Sequence, residues 1–355
     1  MIDTQDIQIT KVKRSKIDET DFGNLPFGKH FTDHMLEVDF IGGTWRQISI
    51  KPYQPFMFDP SLAALHYGQA IFEGIKAYKS QAGNAFIFRP YDNFKRFNLS
   101  AARMEMPIVP EDIFIEGMRV LVAIDKDWIP AREDYSLYIR PLMFATDTAI
   151  GVRPSDTYKF VIILSPTGPY YAHPMKIYVE EKYSRAAPGG IGFAKNAGNY
   201  GGSMYPTSIA RRRGYDQVLW TDCAEHKWLQ EVGTMNIFFI TAENKAITPS
   251  LDEGTILDGV TRSTVITLLS EMGVMVEQRK INIEEIIDYY SRGQLQEVFG
   301  TGTAATISPV QELKYRETVM TFDPQSWKTA PRVKKILAEI RQGKREDSHG
   351  WLFPI

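Results

Sequence analysis

Four stretches of this 355-residue chain combine residue types and spacings suited to chemistry. Lys195 opens KNAGNYGGS, a glycine- and asparagine-rich turn ahead of a helix pattern that runs to Arg213 and stops at Gly214. Most lysines are solvated charges, but small neighbours let a ligand approach the backbone and Tyr200 adds a hydrogen-bonding group, which suits an amine nucleophile. Glu231 stands in LQEVGTMNIFF (Leu229 to Phe239), where one strand ends and a turn leads into another. An acid there is ordinarily a turn residue; the functional alternative is a buried carboxylate facing a cationic ring nitrogen. FGTGTAA (Phe299 to Ala305) and LDGVTR (Leu257 to Arg262) bring glycines, threonines and a helix start, whose N–H and hydroxyl groups suit a phosphate. Arg96, in YDNFKRFNLSAARM (Tyr91 to Met104), is either a solvated helix residue or an anion ligand. Phe27, Tyr67, Phe72, Tyr138 and Val152, taken singly, read as ordinary core.

These residues have to be held by elements whose periods are visible. Ser136 to Phe144 and Tyr158 to Leu164 have the length and β-branched content of strands, and Phe114, Met118, Leu121 and Val122 mark one helix stripe after Pro110. Further on, strands are expected at Met175 to Val179, Gln217 to Thr221 and Met235 to Thr241. Helices are expected around Val265 to Met272, ended by Gly273, and around Val333 to Ile340. The Pro-, Gly- and Ser-rich run Ser165 to Pro174 marks a division. The expectation is a small domain over 1–167, a linker over 168–178 and a larger domain over 179–355, with α and β mixed in both halves.

Composition narrows the partners. A formal net charge of −2, from 41 basic and 43 acidic residues, gives no electrostatic reason for nucleic-acid or membrane-surface binding. The single cysteine, Cys223, leaves no intramolecular disulfide or CxxC pair and points to a reducing, cytoplasmic setting. Six histidines without HxxxH or HxH spacing give no reason to expect a metal. Acidic and basic residues mixed between Met1 and Glu19 do not read as an export or mitochondrial signal, and no apolar run is long enough to span a bilayer. Small molecules and further copies of the chain are the expected partners.

In order and wording, the motifs FGKHFTDHM, HYGQAIFEGIKAY, LYIRP, GPYY, KNAGNYGGS, QVLW, EVGTMNIF, LDGVTR, FGTGTAA and WLFPI resemble the branched-chain amino acid aminotransferases, class IV enzymes of the pyridoxal-phosphate fold type IV. The resemblance covers nearly the whole chain. It implies an α+β, two-domain enzyme with a smaller N-terminal domain, a larger cofactor-binding C-terminal domain and the active site at their interface. By resemblance, Lys195 carries pyridoxal 5′-phosphate and acts as the base, Tyr200 meets the cofactor's phenolic oxygen, and Glu231 pairs with its ring nitrogen. Arg96, Val260, Thr261 and Thr303 hold the phosphate. Tyr138, Thr303 and Ala304 meet the substrate carboxylate, and Arg140 receives the distal carboxylate of a dicarboxylic substrate. Phe27, Tyr67, Phe72, Val152 and Tyr170 wall the side-chain pocket, Val152 from the second subunit of a homodimer.

The implied reaction moves an amino group between L-leucine, L-isoleucine or L-valine and 2-oxoglutarate. Animal relatives have a CxxC pair where this chain has Ala305 and Ser308, so thiol-based control is not expected. Within the same fold, D-amino acid aminotransferase and aminodeoxychorismate lyase are the alternatives, and YIRP and EVGTMN favour the branched-chain group. A non-catalytic protein that kept the fold is the alternative from another class.

Overall fold

The computed structural model describes residues 7–170 and 173–355, so Tyr171 of the GPYY motif lies outside the described residues. The chain is mixed α and β and divides into two compact units. One holds the described residues up to Tyr170 together with 194–197 and 338–355; the other holds those from 173 to 193 and from 198 to 337.

In the first unit, β1 (Gln8–Ile9), β2 (His34–Ile41), β3 (Thr44–Pro52), β4 (Ala70–Phe72), β5 (Ile75–Lys79), β6 (Ala85–Phe88), β7 (Ser136–Ala145) and β8 (Tyr158–Thr167) share one sheet with the C-terminal strand Leu352–Pro354. The order is β1-β3-β2-β8-β7-β5-β6 and then the C-terminal strand, with β4 also on β7. Strand alternation sorts β7: Leu137 and Ile139 enter the core beneath the helices, which leaves Tyr138 and Arg140 on the opposite face.

Pro141 decides what borders that face. It has no N–H to donate, and its carbonyl accepts from Glu73 N at 2.8 Å, so the missing donor faces the same neighbour. The neighbouring strand is interrupted there. β4 pairs with Leu142 to Phe144 and β5 pairs with Leu137 to Ile139, leaving Glu73 and Gly74 between them.

The described residues of this unit include the helices α1 (Ala63–Tyr67), α2 (Pro90–Arg103) and α3 (Gly117–Ile124). On α2, Asn93, Arg96, Phe97, Ser100 and Ala101 are the buried stripe, at the i, i+3, i+4, i+7, i+8 spacing of one helix face. The Phe114 helix differs from a plain α-helix, because Asp112–Glu116 form a π turn before α3 begins. Phe114, Met118, Leu121 and Val122 are all buried, as their spacing requires. Ser165 to Thr167 continue β8 although they open the Pro-rich run, because Ser165, Pro166 and Thr167 stay in register with Tyr138, Leu137 and Ser136.

The second unit contains most of α4 (Ala197–Arg212), all of α5 (Val260–Glu271) and α6 (Ile283–Ser291), and the start of α7 (Thr329–Arg341). Its strands are β9 (Met175–Val179), β10 (Gln217–Thr221), β11 (Leu229–Val232), β12 (Asn236–Thr241), β13 (Lys245–Pro249), β14 (Met275–Arg279), β15 (Leu295–Gly302), β16 (Thr306–Tyr315) and β17 (Thr318–Thr321). They form a sheet in the order β11-β10-β9-β16-β15-β12-β13-β14, with β17 on β16. The glycines of KNAGNYGGS, expected in a turn, lie inside α4, which also holds Pro206. The C-terminal strand is β18. No helix among the described residues is long and apolar enough to cross a membrane.

Acidic side chains fasten several turns. Asp222 accepts from the backbone N–H of Ala224, Glu225, Lys227 and Trp228 at 2.8–3.1 Å. Burial pushes Asp222 up, but these four donors more than offset it and hold the carboxyl below its usual range; Asp33 and Asp147 are lowered in the same way. A folded-state pKa below the unfolded one gives stability that is complete above the unfolded value, about 3.9, and is lost as pH falls through the folded value. Thermal melts from about pH 6 to about pH 3 are expected to show this loss. Asp222→Asn should lower the melting temperature at pH 6 and make the acid limb shallower; an unchanged limb would remove Asp222 as a contributor.

Candidate active site

In the first unit the chain clamps Lys195 through its backbone. Lys195 N donates to Ser100 Oγ at 2.8 Å, its carbonyl accepts from Phe72 N at 3.0 Å, and Asn196 bridges to Ile71. The lysine is thus fixed to β4 and α2 two residues before α4 begins. Its Nζ stands 5.0 Å from the centre of the Phe72 ring.

One turn before Ser100 on the same face of α2, Arg96 is buried and forms a two-pronged pair with Glu73, Nε to Oε1 and Nη2 to Oε2, both 2.7 Å. Arg96 is therefore neither a solvated face residue nor a lone anion ligand: a carboxylate already orients its guanidinium.

Across the strand break, the phenolic oxygen of Tyr138 lies so close to Gly74 that a Cβ there would sit 2.1 Å from it. Arg140 Nη2 donates to that oxygen at 3.0 Å, and the guanidinium lies 4.6 Å from the Phe72 ring centre and 5.2 Å from that of Tyr138. Phe27 meets Tyr138 edge-on at 4.8 Å and Tyr170 edge-on at 5.0 Å. Phe27, Phe72, Tyr138, Arg140, Tyr170 and Lys195 are thereby one connected group. Lys76, directly opposite Tyr138 on β5, shares its face, and burial and the Arg341 guanidinium draw its amine down to about 7.

Arg140 has no carboxylate partner among the described residues, and its buried Nε has no hydrogen-bond partner. Tyr67 and Val152 stand apart from the group, and Val152 is 90% exposed in the single chain.

The second unit gathers Glu231, Val260, Thr261, Thr303 and Ala304. Glu231 is buried, with Oε2 2.9 Å from Arg185 Nε and Oε1 accepting from Leu257 N. Arg185 also donates to Thr255 O at 2.7 Å and Gly192 O at 3.1 Å. A cation and a backbone donor favour the ionised form of the acid.

Leu257 in turn leads to Gly259, the start of α5, which has no side-chain cap and no acid in its first turn. Asn236 holds this approach: its Nδ2 donates to Leu257 O at 2.9 Å, and a Cβ on Gly259 would fall 2.0 Å from its Oδ1. Met235 packs on Gly300 and Gly302 of β15, beside the Thr303 to Ala305 turn. That turn closes with Thr306 at φ 56, the left-handed region that a β-branched residue rarely adopts. Tyr200 lies on α4, half-buried.

Glu73, Gly74, Lys76 and Arg185 are parts of the arrangement that the sequence reading did not single out. FEG lies inside a quoted motif, so Glu73 and Gly74 were visible without a role, whereas Arg185 stands in EKYSRAAPGG with no pattern to mark it.

The first unit holds a backbone-clamped amine and an aromatic group around a guanidinium with no carboxylate partner among the described residues, and the second holds a buried carboxylate beside a cation; amino-group transfer uses groups of these types. The Amino-transferase class IV family model matches residues 70–313, and the chain belongs to that family. It is 48% identical to the Staphylococcus epidermidis protein named "Probable branched-chain-amino-acid aminotransferase", over 97% of each chain. It is 44% identical to branched-chain-amino-acid transaminase 1 of Bacillus subtilis, over 95% of this chain and 96% of that one. The T.th. branched-chain amino acid aminotransferase, solved with N-(5′-phosphopyridoxyl)-L-glutamate, matches 89% of this chain and 97% of its own with a TM-score of 0.71 and 26% identity. Within the class IV enzymes, the chain is a member of the branched-chain-amino-acid aminotransferases.

Two substitutions test the geometry. Glu73→Gln breaks a buried ion pair by removing one partner and is expected to cost about 3–5 kcal/mol in denaturant unfolding. Gly74→Ala should leave the melting temperature within a few degrees but lower kcat/KM by about tenfold or more, because it displaces the Tyr138 hydroxyl. Full activity in Gly74→Ala would show that this hydroxyl's position is unimportant.

Proposed function

We propose that this transaminase moves the amino group reversibly between L-leucine, L-isoleucine or L-valine and 2-oxoglutarate, using pyridoxal 5′-phosphate, in two half-reactions that share one substrate pocket. Arg140 carries the proposal. A guanidinium held by two aromatic faces and a phenol, with no acid to neutralise it among the described residues, suits a pocket that takes an apolar side chain in one half-reaction and a second carboxylate in the other. The T.th. relative supports the same pairing, since its ligand joins a phosphopyridoxyl group to L-glutamate.

The residues present fit the cofactor. Lys195 would attach it, Tyr200 would hydrogen-bond its phenolic oxygen and Glu231 would face its ring nitrogen. Arg96, Val260, Thr261 and Thr303 would hold its phosphate. When bound, pyridoxal phosphate supplies an electron sink for the pair left at the substrate Cα. Glu231, kept ionised by Arg185, would hold a proton on the ring nitrogen. Lys195, whose backbone is clamped by Ser100 and Phe72, would take at Nζ the proton that leaves the substrate Cα.

Tyr138 and the backbone at Thr303 and Ala304 would orient the substrate's α-carboxylate. Phe27, Phe72 and Tyr170 would exclude water from its side chain. Tyr67 and Val152 would complete that wall from the second copy of a homodimer, a reading supported by the exposure of Val152, Ile150, Met57 and Leu65 in the single chain. The charge balance and the lone cysteine support a cytoplasmic enzyme.

A panel of both enantiomers tests the assignment. With 2-oxoglutarate, L-leucine, L-isoleucine and L-valine are expected to react and D-alanine to remain unchanged; the reverse pattern would overturn it. Lys195→Ala should reduce turnover to background, and Glu231→Ala should lower kcat by about a hundredfold or more with a smaller change in KM. Arg140→Met should raise KM for 2-oxoglutarate by about 30-fold, the loss of one charge-assisted contact, while KM for L-leucine moves by less than about threefold.

A further inference from the structure

We infer that Ser15, Asp33 and His34 are positioning residues for the substrate pocket: they fasten an N-terminal strap whose far end carries Phe27. The inference rests on the functional reading above, because it takes Phe27 to be a wall of the pocket.

The strap begins as the edge strand β1, paired with β3, and Thr10 N donates to Ile50 O at 2.8 Å. It then leaves the sheet, and between Lys11 and Lys16 side chains hold it to the unit in place of strand pairing. Side chains of the buried segment at the start of β2 take over. Asp33 accepts from Ser15 Oγ, from Lys16 N at 2.9 Å and, from beneath, from Trp128 Nε1 at 3.0 Å. His34 Nε2 accepts from Val12 N at 3.0 Å, so the ring proton sits on Nδ1, 2.6 Å from Asp125 Oδ1. Asp125 also accepts from His34 N at 3.0 Å. Three strap donors thus end on two side chains that are themselves only 4% exposed.

Phe22 then packs on Trp128 at 6.1 Å, Leu25 O accepts from Gly168 N at 3.0 Å, and Phe27 lies edge-on between Tyr138 and Tyr170. The last two contacts are aromatic and cost little to slide. The ring's position is therefore set by the chain that bears it, which is held at Leu25 O and, further back, by the fastening of Ser15 and Lys16. Buried hydrogen bonds to ionised groups resist displacement more strongly than one ring edge does.

Asp33 and His34 touch neither the aromatic group nor Lys195, so a merely structural role would change stability and leave substrate affinity alone. A positioning role predicts raised KM with kcat preserved, and it predicts that the effect disappears when Phe27 is gone.

Holoenzyme is assayed with L-leucine and 2-oxoglutarate, and trypsin cleavage at Lys11, Lys13, Arg14 and Lys16 is followed as a measure of strap release. Ser15→Ala, which alters the strap without touching the sheet, is expected to raise KM for L-leucine about threefold and to speed cleavage. Asp33→Asn should raise KM about tenfold, kcat staying within about twofold in both. Ser15→Thr, which keeps the hydroxyl, should restore both readouts. Phe27→Ala raises KM by itself, and adding Ser15→Ala to it should change KM no further.

If Ser15→Ala speeds cleavage but leaves KM unchanged, or if its effect adds fully to that of Phe27→Ala, the inference is overturned. Unchanged cleavage overturns it as well, because the strap is then not fastened at Ser15. Should the unaltered holoenzyme fail to use L-leucine at all, the functional reading falls and this inference falls with it.

Discussion

The sheet of the first unit is organised around a hydrogen bond that Pro141 cannot make. A proline inside a central strand leaves its neighbour without a donor, and β-sheets ordinarily exclude it for that reason. Here the neighbour responds by breaking into β4 and β5, with Glu73 and Gly74 in the gap. Glu73 keeps its N–H bond to Pro141 O and turns its side chain to Arg96, while Gly74 presents a surface with no side chain to the Tyr138 hydroxyl. Phe72 opposite Leu142 and Ile75 opposite Ile139 keep one register across the gap, so Glu73 and Gly74 stand beside Pro141 and Arg140. A residue with a donor at position 141 would permit a continuous strand and would remove the reason for the gap.

The second unit meets a different constraint, the cost of keeping a carboxylate charged in the interior. Burial alone raises a carboxyl's pKa, and an acid that faces a ring nitrogen is useful only when ionised. Arg185 and Leu257 N supply a cation and a backbone dipole to Glu231, and Arg185 also donates from Nη1 and Nη2 to the Thr255 and Gly192 carbonyls. Such a pair contributes little net stability, since desolvation consumes much of its attraction. Its value is in orientation and charge state, which suits a group that has to act on a bound ring.

Much of this was legible in the sequence, for identifiable reasons. The stripe of Phe114, Met118, Leu121 and Val122 and the strand β7 follow from periodicity, because burial on one face leaves a regular signature. Lys195, Glu231, Arg96 and the two Gly-Thr segments were named from motifs, and the residues that orient them were not. Arg185 lies in a loop without a period, and Glu73 depends on a strand break that becomes visible only when β4, β5 and β7 are paired. The glycines after Lys195 signalled a turn by propensity, yet they are helical in α4, where the local cost of glycine, about 1 kcal/mol each, is overridden. The π turn before α3 left no trace either, since Phe114 and Met118 keep the spacing of an ordinary helix.

Arg140 and Arg96 show how one side-chain type is set to two tasks by its surroundings. Arg96 is saturated by Glu73, so an added anion gains orientation from it more than new charge. Arg140 is held by aromatic faces, worth about 0.5–2 kcal/mol each, and by one neutral phenol. Those contacts fix the guanidinium without cancelling its charge. A carboxylate placed there would hence make a contact worth about 1.5–3 kcal/mol, and an apolar side chain would still find the same aromatic surface. Replacing Phe72 or Tyr138 by an acid would bring Arg140 into the state of Arg96, and the capacity to accept both kinds of side chain would be lost.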